Sequence, residues 1–211
     1  MNISRLDSTI EGYLHQVTPE RDDVLTEMEA YARERRFPIV GPLVGRVLHQ
    51  LVLLTNPVRI FEMGSGFGYS AYWMAKALRN PDAKIICTEG SAENAERAMG
   101  YLERCGVANR VDYHVGDALE IIDQTTGEFD MIYNDIDKDA YPKAYHKALP
   151  RLRSGGLFVT DNMFLGGRIV SDAQDDRIQG VQEFTRLLYE SPNLFTTIIP
   201  LRDGVSVAVK V

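Results

Sequence analysis

Five polar residues follow two short apolar runs and have the side chains needed to bind a cation beside a base. Asp135, Asp137 and Lys138 come after the first run, and Asp161 and Asn162 come after the second. Both runs are rich in β-branched and aromatic residues, which is typical of buried strands. Because open parallel sheets bind ligands at the carboxyl ends of their strands, we expect these side chains to converge. Hard oxygen ligands beside a lysine predict a Mg²⁺- or Ca²⁺-type site with an adjacent base.

A glycine-rich stretch, residues 62–70 (Glu-Met-Gly-Ser-Gly-Phe-Gly-Tyr-Ser), separates a predicted strand from a predicted helix. Glycines at such a turn let the backbone bend tightly and approach a ligand closely. The dinucleotide fingerprint GxGxxG needs its third glycine at position 69, but this chain has Tyr69 there and its third glycine is Gly68. A generic tight turn has the same composition, so this stretch is weak evidence by itself.

Two acidic residues at the next strand ends strengthen the case for a nucleoside ligand. Glu89 ends the second predicted strand, about 20 residues after Gly68, where a carboxylate can accept hydrogen bonds from ribose hydroxyls. A helix-entry carboxylate would also occupy this position. Asp117 follows the third strand, where an adenine amino group can be recognised. Such features at three consecutive strand ends predict a ligand that contains adenosine.

Strand and helix patterns alternate from residue 57 onward, which predicts βαβ units in a mostly parallel sheet. Two β-rich runs joined by Asp203-Gly204 predict a closing antiparallel hairpin. Helical patterns in residues 1–56 predict helices that pack on the sheet and cover the site. We expect one α/β domain, residues 1–211, with a Rossmann-like core in residues 57–211. The predicted strands are 59–63, 84–88, 111–115, 131–134, 157–160, 195–201 and 205–211, and the predicted helices between them are 69–78, 92–105, 119–124 and 141–152.

The bulk composition is that of a soluble globular protein. The 211 residues are 45% hydrophobic and carry a formal net charge of −7, which argues against a nucleic-acid-binding protein. Two cysteines are too few for a disulfide framework. The sequence shows no signal-peptide pattern and no apolar stretch long enough for a membrane span. We therefore expect a cytoplasmic protein without a membrane partner.

Three segments, residues 62–70, 134–141 and 160–162, together resemble the cation-dependent, S-adenosylmethionine-dependent O-methyltransferases of bacterial type. That family includes catechol and caffeoyl-CoA O-methyltransferases. The resemblance runs from about Pro38 to Val211 and includes the Asp203-Gly204 turn. It implies a class I methyltransferase fold with a seven-stranded, mostly parallel sheet. It also implies a homodimeric enzyme that methylates a hydroxyl of a small catechol-like phenol.

The resemblance also implies roles for individual residues. Asp135, Asp161 and Asn162 match the metal ligands, for which Mg²⁺ is expected, with Ca²⁺ or Mn²⁺ as alternatives. Lys138 matches the general base, and Asp135 is its catalytic partner. The residues expected to bind S-adenosylmethionine are Val40, Glu62, Met63, Gly64, Gly66, Tyr69, Ser70, Glu89, Gly90, Asp117, Ala118 and Asp135.

Some residues depart from the family pattern. Plant members usually carry a tryptophan shortly after the Asp-Asn pair, whereas residues 163–168 here are Met-Phe-Leu-Gly-Gly-Arg. The stretch 171–180 is expected to be a short loop that gives little cover for a CoA thioester. Arg168 is either a surface residue or one that orients an acidic acceptor, and Asp137 is expected to support the site. The acceptor therefore stays open.

Two other functions fit parts of the sequence. A nucleotide-dependent oxidoreductase would also use a glycine-rich turn, but the GxGxG spacing and the cation-binding residues count against it. A non-catalytic S-adenosylmethionine-binding protein would not need Lys138 or the metal ligands. Metal-dependent O-methyl transfer is the function that uses all of these features.

Overall fold

A seven-stranded sheet organises the chain, for which a computed structural model describes residues 8–171 and 175–211. The strands lie in the order β3-β2-β1-β4-β5-β7-β6. β1 to β5 are parallel, and β7 pairs antiparallel with both β5 and β6. This arrangement confirms the predicted Rossmann-like α/β architecture with its closing hairpin. The strands are β1 Arg59–Met63, β2 Lys84–Glu89, β3 Val111–Val115, β4 Phe129–Asn134, β5 Leu152–Thr160, β6 Leu194–Ile199 and β7 Val205–Lys210.

The helices cover both faces of the sheet, so the central strands are apolar on both sides. Ile60 and Val159 belong to a core cluster with α2 to α5, while their neighbours Phe61 and Phe158 belong to a second cluster with α6 to α8. This alternation follows from the two-residue period of a strand. The helices are α1 Ser8–Val17, α2 Asp23–Arg35, α3 Gly41–Thr55, α4 Tyr69–Ala77, α5 Ala92–Arg104, α6 Ala118–Gln124, α7 Tyr141–Ala148 and α8 Asp176–Glu190.

The strand order reverses beside β1, and this reversal creates the crevice for a ligand. From β1 the chain proceeds to β2 and β3 on one side, then returns to place β4 on the other side of β1. The loops after β1 and β4 therefore leave the sheet in opposite directions. A crevice opens between them at the carboxyl ends of the strands.

The predicted boundaries around β5 were wrong. The predicted helix 141–152 ends at Ala148 and continues as a 3-10 turn over Leu149–Arg151. Pro150 lacks the backbone N–H that a continuing α-helix would need. β5 then begins at Leu152, five residues before the predicted 157, and passes through a register shift opposite Phe129 and Met131.

Helix α8 was not predicted, because the stretch 171–180 was interpreted as a short loop. Its buried residues Ile178, Val181, Phe184 and Leu188 lie at helical spacing, so the periodicity that indicates this helix is present in the sequence. Asp175 caps it, because its carboxylate accepts hydrogen bonds from the backbone N–H groups of Arg177 and Ile178 in the first turn. Residues 172–174 of the expected loop, and residues 1–7 of the predicted helical region, lie outside the described residues.

α8 packs directly on the 3-10 turn Lys138–Ala140, which carries the predicted base. A Cβ atom on Gly180 would lie 2.8 Å from the Cα of Asp139 and would also overlap the Lys138 carbonyl oxygen. Only glycine allows this close approach of helix and turn. The helix therefore supports the backbone of Lys138 from below.

Within residues 8–171 and 175–211, no helix combines the length and apolar character needed to cross a membrane.

Candidate active site

A cavity of about 710 Å³ lies in the crevice at the carboxyl ends of the strands. It brings together nearly all of the sequence-predicted site residues. Glu62 and Met63 are the exceptions, because both are fully buried in the sheet and neither lines the cavity. The predicted residues in its wall are Val40, Gly64, Gly66, Tyr69, Ser70, Glu89, Gly90, Asp117, Ala118, Asp135, Lys138, Asp161 and Asn162.

Gly64 allows the first turn to pass close to the end of β4. Its φ of +83° is a left-handed conformation that L-residues with side chains rarely adopt. A Cβ atom there would lie 2.8 Å from the carbonyl oxygen of Asp135. The glycine therefore joins the predicted nucleoside-binding loop to the predicted cation-binding strand end.

Glu62 holds the glycine-rich loop from beneath. Its carboxylate accepts hydrogen bonds from the hydroxyls of Ser65, at 2.8 Å, and Ser70, and from the thiol of Cys87 at 3.1 Å. Burial raises the pKa of Glu62, although these three donors oppose the shift. The Glu62 side chain does not line the cavity. The role of this acidic residue before the glycines is therefore to hold the loop in shape through these hydrogen bonds.

Glu89 lies at the end of β2 and joins the glycine-rich loop to the start of α5. Its carboxylate accepts hydrogen bonds from the backbone N–H of Gly66 at 3.0 Å and of Ser91 at 3.1 Å. The side-chain amide of Asn94 donates a third, at 3.0 Å. Glu89 therefore fixes the loop opposite it while still lining the cavity. Both interpretations of this residue, helix entry and ligand contact, remain compatible with its position.

Asp117 caps α6 and also lines the cavity. Its carboxylate accepts hydrogen bonds from the backbone N–H groups of Leu119 and Glu120, at 2.6 and 3.2 Å. Capping uses one carboxylate oxygen, Oδ1, in both bonds. The cap thus presents a carboxylate at the third strand end, where the sequence predicted contact with adenine.

Lys138 forms an ion pair with Asp135 in the cavity wall. Its Nζ atom donates to Asp135 Oδ1 at 2.6 Å and to the carbonyl oxygen of Ile136 at 3.0 Å. The lysine side chain is only 11% exposed, so solvent competes little for its amine. Burial raises the pKa of Asp135, and the neighbouring ammonium group opposes that shift.

Asp161 places a second carboxylate next to Asp135. Its Oδ1 atom is buried and has no hydrogen-bond partner among the described residues. Burial, with a further contribution from the nearby Asp135 carboxylate, raises the pKa of Asp161 to about 7. The two carboxylates repel each other, and a cation between them would offset that repulsion.

The donors available here fit a hard divalent cation with an incomplete protein shell. Asn162 follows Asp161 and lines the same cavity, so two carboxylates and one carboxamide are close together. In the part of the chain that the structure describes, no three His, Cys, Asp or Glu side chains are grouped to hold a metal ion. Mg²⁺ suits such a sparse oxygen set, since it usually retains water and takes further ligands from the substrate.

Several residues in the cavity wall were not predicted as site residues. Phe37 and Leu165 add apolar surface, Arg177 adds a cation from α8, and Asp203 comes from the turn between β6 and β7. Arg177 lies on α8, and no sequence prediction placed that helix beside the cavity. The sequence prediction used Asp203 only as part of a hairpin turn. A carboxylate at the ligand-binding edge of the sheet also indicates a site residue.

Known proteins resemble this chain over most of its length. The model of the O-methyltransferase family matches residues 17–211. A catechol O-methyltransferase from Niastella koreensis is 28% identical to this chain, over 98% of this chain and 98% of the relative's length. A caffeoyl-CoA O-methyltransferase from Eucalyptus globulus is 32% identical over 79% of this chain and 72% of its own. Among solved structures, this chain is similar to an O-methyltransferase from Streptomyces achromogenes that is involved in tomaymycin synthesis and was solved in complex with SAM. The two are 32% identical with a TM-score of 0.87, and the match covers 100% of this chain and 99% of the other.

We predict that Glu62→Gln changes how stability depends on pH. Because burial raises the pKa of Glu62, the folded chain keeps its proton above the unfolded pKa of about 4.3. The stabilisation from Glu62 is therefore complete below that value and is lost as the pH rises towards the folded-state pKa.

Denaturant titrations from about pH 4 to about pH 8 measure this effect. The wild-type free energy of unfolding should fall relative to that of the variant as the pH rises, because other titrating groups are common to both. The prediction would be contradicted if the wild-type free energy of unfolding minus that of the variant stayed constant or rose with pH.

Proposed function

The chain belongs to the O-methyltransferase family, and from that membership we propose that it transfers the methyl group of S-adenosylmethionine to a hydroxyl of a small catechol-like phenol. One observation carries the proposal. Asp135, Asp161, Asn162 and Lys138 converge in the same cavity as the glycine-rich loop. That combination supplies a cation site, a base and a nucleoside-type pocket together. Membership of this family also counts against hydride transfer, the alternative function considered from the sequence.

S-adenosylmethionine binds, in this proposal, between the glycine-rich loop and the ends of β2 and β3. Glu89 and Asp117 present carboxylates to the ribose and adenine positions, and Gly64 and Gly66 let the backbone approach the methionine part. Val40 closes the cavity from the N-terminal side. The SAM complex of the Streptomyces relative, which has the same fold over its full length, supports this choice of cofactor.

Asp135, Asp161 and Asn162 hold the divalent cation, with Mg²⁺ favoured and Ca²⁺ or Mn²⁺ as alternatives. The orphaned Oδ1 of Asp161 and the repulsion between the two carboxylates support this assignment. When bound, the cation acts as a Lewis acid and template for two adjacent phenol oxygens, which makes a hydroxyl of pKa about 10 easier to ionise. The three residues then have to hold that ion at a fixed place beside the sulfonium methyl group.

Lys138 is the general base in this proposal. Its Nζ atom already lies in the cavity wall, held by Asp135 Oδ1 and the Ile136 carbonyl oxygen. In its neutral form the amine removes the hydroxyl proton of the acceptor, and the oxygen then attacks the methyl group in line with the departing sulfur. Since the methyl donor is already activated, holding the two reactants in line is the main task left to the protein.

We propose that the acceptor is a small phenol and not a CoA thioester. The two relatives act, by their names, on catechol and on caffeoyl-CoA. In this chain Leu165 stands in the cavity wall after the Asp161-Asn162 pair, where plant members usually have a tryptophan nearby. We therefore propose a phenol with two vicinal hydroxyls as the substrate class.

We also propose that the protein is a cytoplasmic homodimer. α1 exposes Ile10, Tyr13 and Val17, which are 50, 60 and 54% exposed and recur at helical spacing. Such an apolar stripe on the surface supports an interface formed by the N-terminal helices.

The first test of the function is a methylation assay with S-adenosylmethionine labelled in its methyl group. A panel of catechols should be methylated in Mg²⁺, methylation should stop in EDTA, and added Mg²⁺ should restore it. Phenols with a single hydroxyl should react poorly, because they lack the second oxygen that chelates the cation. Methylation that persists in EDTA would contradict the metal role, and failure to bind the cofactor by calorimetry would contradict the whole proposal.

The second test removes the base. Lys138→Ala should lower the turnover number by about 10²- to 10⁴-fold, the usual contribution of a positioned base, while the affinity for S-adenosylmethionine stays near wild type. Lys143→Ala is the matched control, since it removes an exposed lysine from the neighbouring helix α7 and should leave turnover unchanged. A large loss of cofactor affinity in Lys138→Ala would show that the lysine is structural instead.

A further inference from the structure

The turn between β6 and β7, residues Leu201–Gly204, touches two separate walls of the cavity. We call it the closing turn. Arg202 and Gly204 both have positive φ, +51° and +82°, so the chain reverses within very few residues. Asp203 lies between them and lines the cavity. The closing turn therefore reaches the site although it belongs to the far edge of the sheet.

Asp203 holds the loop that follows β5 through both its backbone and its side chain. Its carbonyl oxygen accepts from the N–H of Phe164 at 2.8 Å. Its carboxylate accepts from the N–H of Gly166 at 2.6 Å, through Oδ1, and from the side-chain amide of Asn162 at 3.4 Å, through Oδ2. The two carboxylate oxygens thus have separate partners in the same loop.

The contact with Asn162 decides which end of its amide faces the cavity. An asparagine presents either a carbonyl oxygen or an NH₂ group, and only the oxygen can bind a cation. A carboxylate accepts hydrogen bonds and cannot donate them, so it selects the NH₂ end as its partner. With Nδ2 directed to Asp203, Oδ1 is the atom left to face the cavity. Asn162 has a φ of +58°, a left-handed conformation that asparagine adopts more readily than most residues.

Asp203 is better suited to orient a ligand than to be one. Both of its oxygens already accept hydrogen bonds from the loop after β5. Partners that orient metal ligands typically change metal affinity strongly when they are removed. From these contacts we propose that Asp203 is a positioning residue, which sets the amide orientation of Asn162 for cation binding. This inference rests on the proposed function, because it requires a cation at Asp135, Asp161 and Asn162.

Arg202 provides an internal control, because it belongs to the same turn but contacts the other wall. Its guanidinium donates to the carbonyl oxygens of Ile39, at 3.1 Å, and Val40. Both of these residues line the cavity on the cofactor side. Arg202→Ala therefore disturbs the closing turn without removing an acceptor of Asn162 or Gly166.

The experiment measures Mn²⁺ affinity from the electron paramagnetic resonance signal of the free ion, in full-length protein saturated with S-adenosylhomocysteine. Asp203→Asn keeps the shape of the side chain but loses one acceptor, and Asp203→Glu keeps the charge but moves it by one methylene. Both should weaken Mn²⁺ binding by about 10- to 100-fold, as loss of a ligand-orienting partner does. S-adenosylhomocysteine affinity, measured by calorimetry, should stay near wild type in both. Arg202→Ala should not weaken Mn²⁺ binding, because it removes a positive charge near Asp161 and leaves Asp203 in place.

Four results would overturn the inference. If Asp203→Glu binds Mn²⁺ like wild type, the negative charge alone matters and the orientation of Asn162 does not. If the Asp203 variants lose Mn²⁺ and S-adenosylhomocysteine affinity equally, or if Arg202→Ala loses as much Mn²⁺ affinity as they do, the closing turn is merely structural. Wild-type protein that binds no Mn²⁺ would contradict the proposed function as well, which separates that failure from the other three.

Discussion

The placement of two carboxylates side by side, with Asp161 buried and Asp135 partly buried, is the constraint on which this site depends. Parallel pairing of β4 with β5 sets Asn134 opposite Thr160, so the next residues, Asp135 and Asp161, must emerge together at the edge of the sheet. Burying Asp161 beside a second carboxylate is costly, and its raised pKa of about 7 has these two causes. Of the two carboxylates, Lys138 donates a hydrogen bond to Asp135, at 2.6 Å, and acts on Asp161 only through its charge. This charge pattern supports the proposal that both carboxylates bind a divalent cation.

The surrounding structure keeps these groups in place with close backbone contacts. Gly64 lets the glycine-rich loop lie against the carbonyl of Asp135, and Gly180 lets α8 lie against the turn that carries Lys138. The closing turn adds hydrogen bonds to the loop that carries Asn162. Each contact joins the site to an element distant in sequence. Methyl transfer needs reactants held within a narrow range of positions, so such rigid support is consistent with the proposed chemistry.

Much of this arrangement could be predicted from the sequence, because it follows from local patterns. Alternating strand and helix signals determine a parallel sheet, and residues that end parallel strands must meet at one edge. As this rule predicts, Asp135, Asp161 and Glu89 lie around one cavity. The roles of Lys138 and of the metal ligands stay predictions, since they require a bound acceptor and cation to be seen at work.

Other features depend on contacts between distant residues, and local patterns could not reveal them. Glu62 was expected to touch the cofactor, yet it lies fully buried because Ser65, Ser70 and Cys87 surround it. The importance of Asp203 depends on its distance to Asn162, which no hairpin signal conveys. Helix α8 differs from these features, because the apolar periodicity that indicates it is present in the sequence itself.

The most direct test of the account is a crystal structure with Mn²⁺, S-adenosylhomocysteine and a catechol bound. Anomalous scattering from Mn²⁺ locates the ion without assumptions about its ligands. The account predicts a single strong peak within bonding distance, about 2.0–2.4 Å, of oxygens from Asp135, Asp161 and Asn162, with the catechol oxygens completing the shell beside Lys138. A peak elsewhere in the cavity, or a catechol bound away from Lys138 with no ion between those three residues, would contradict it.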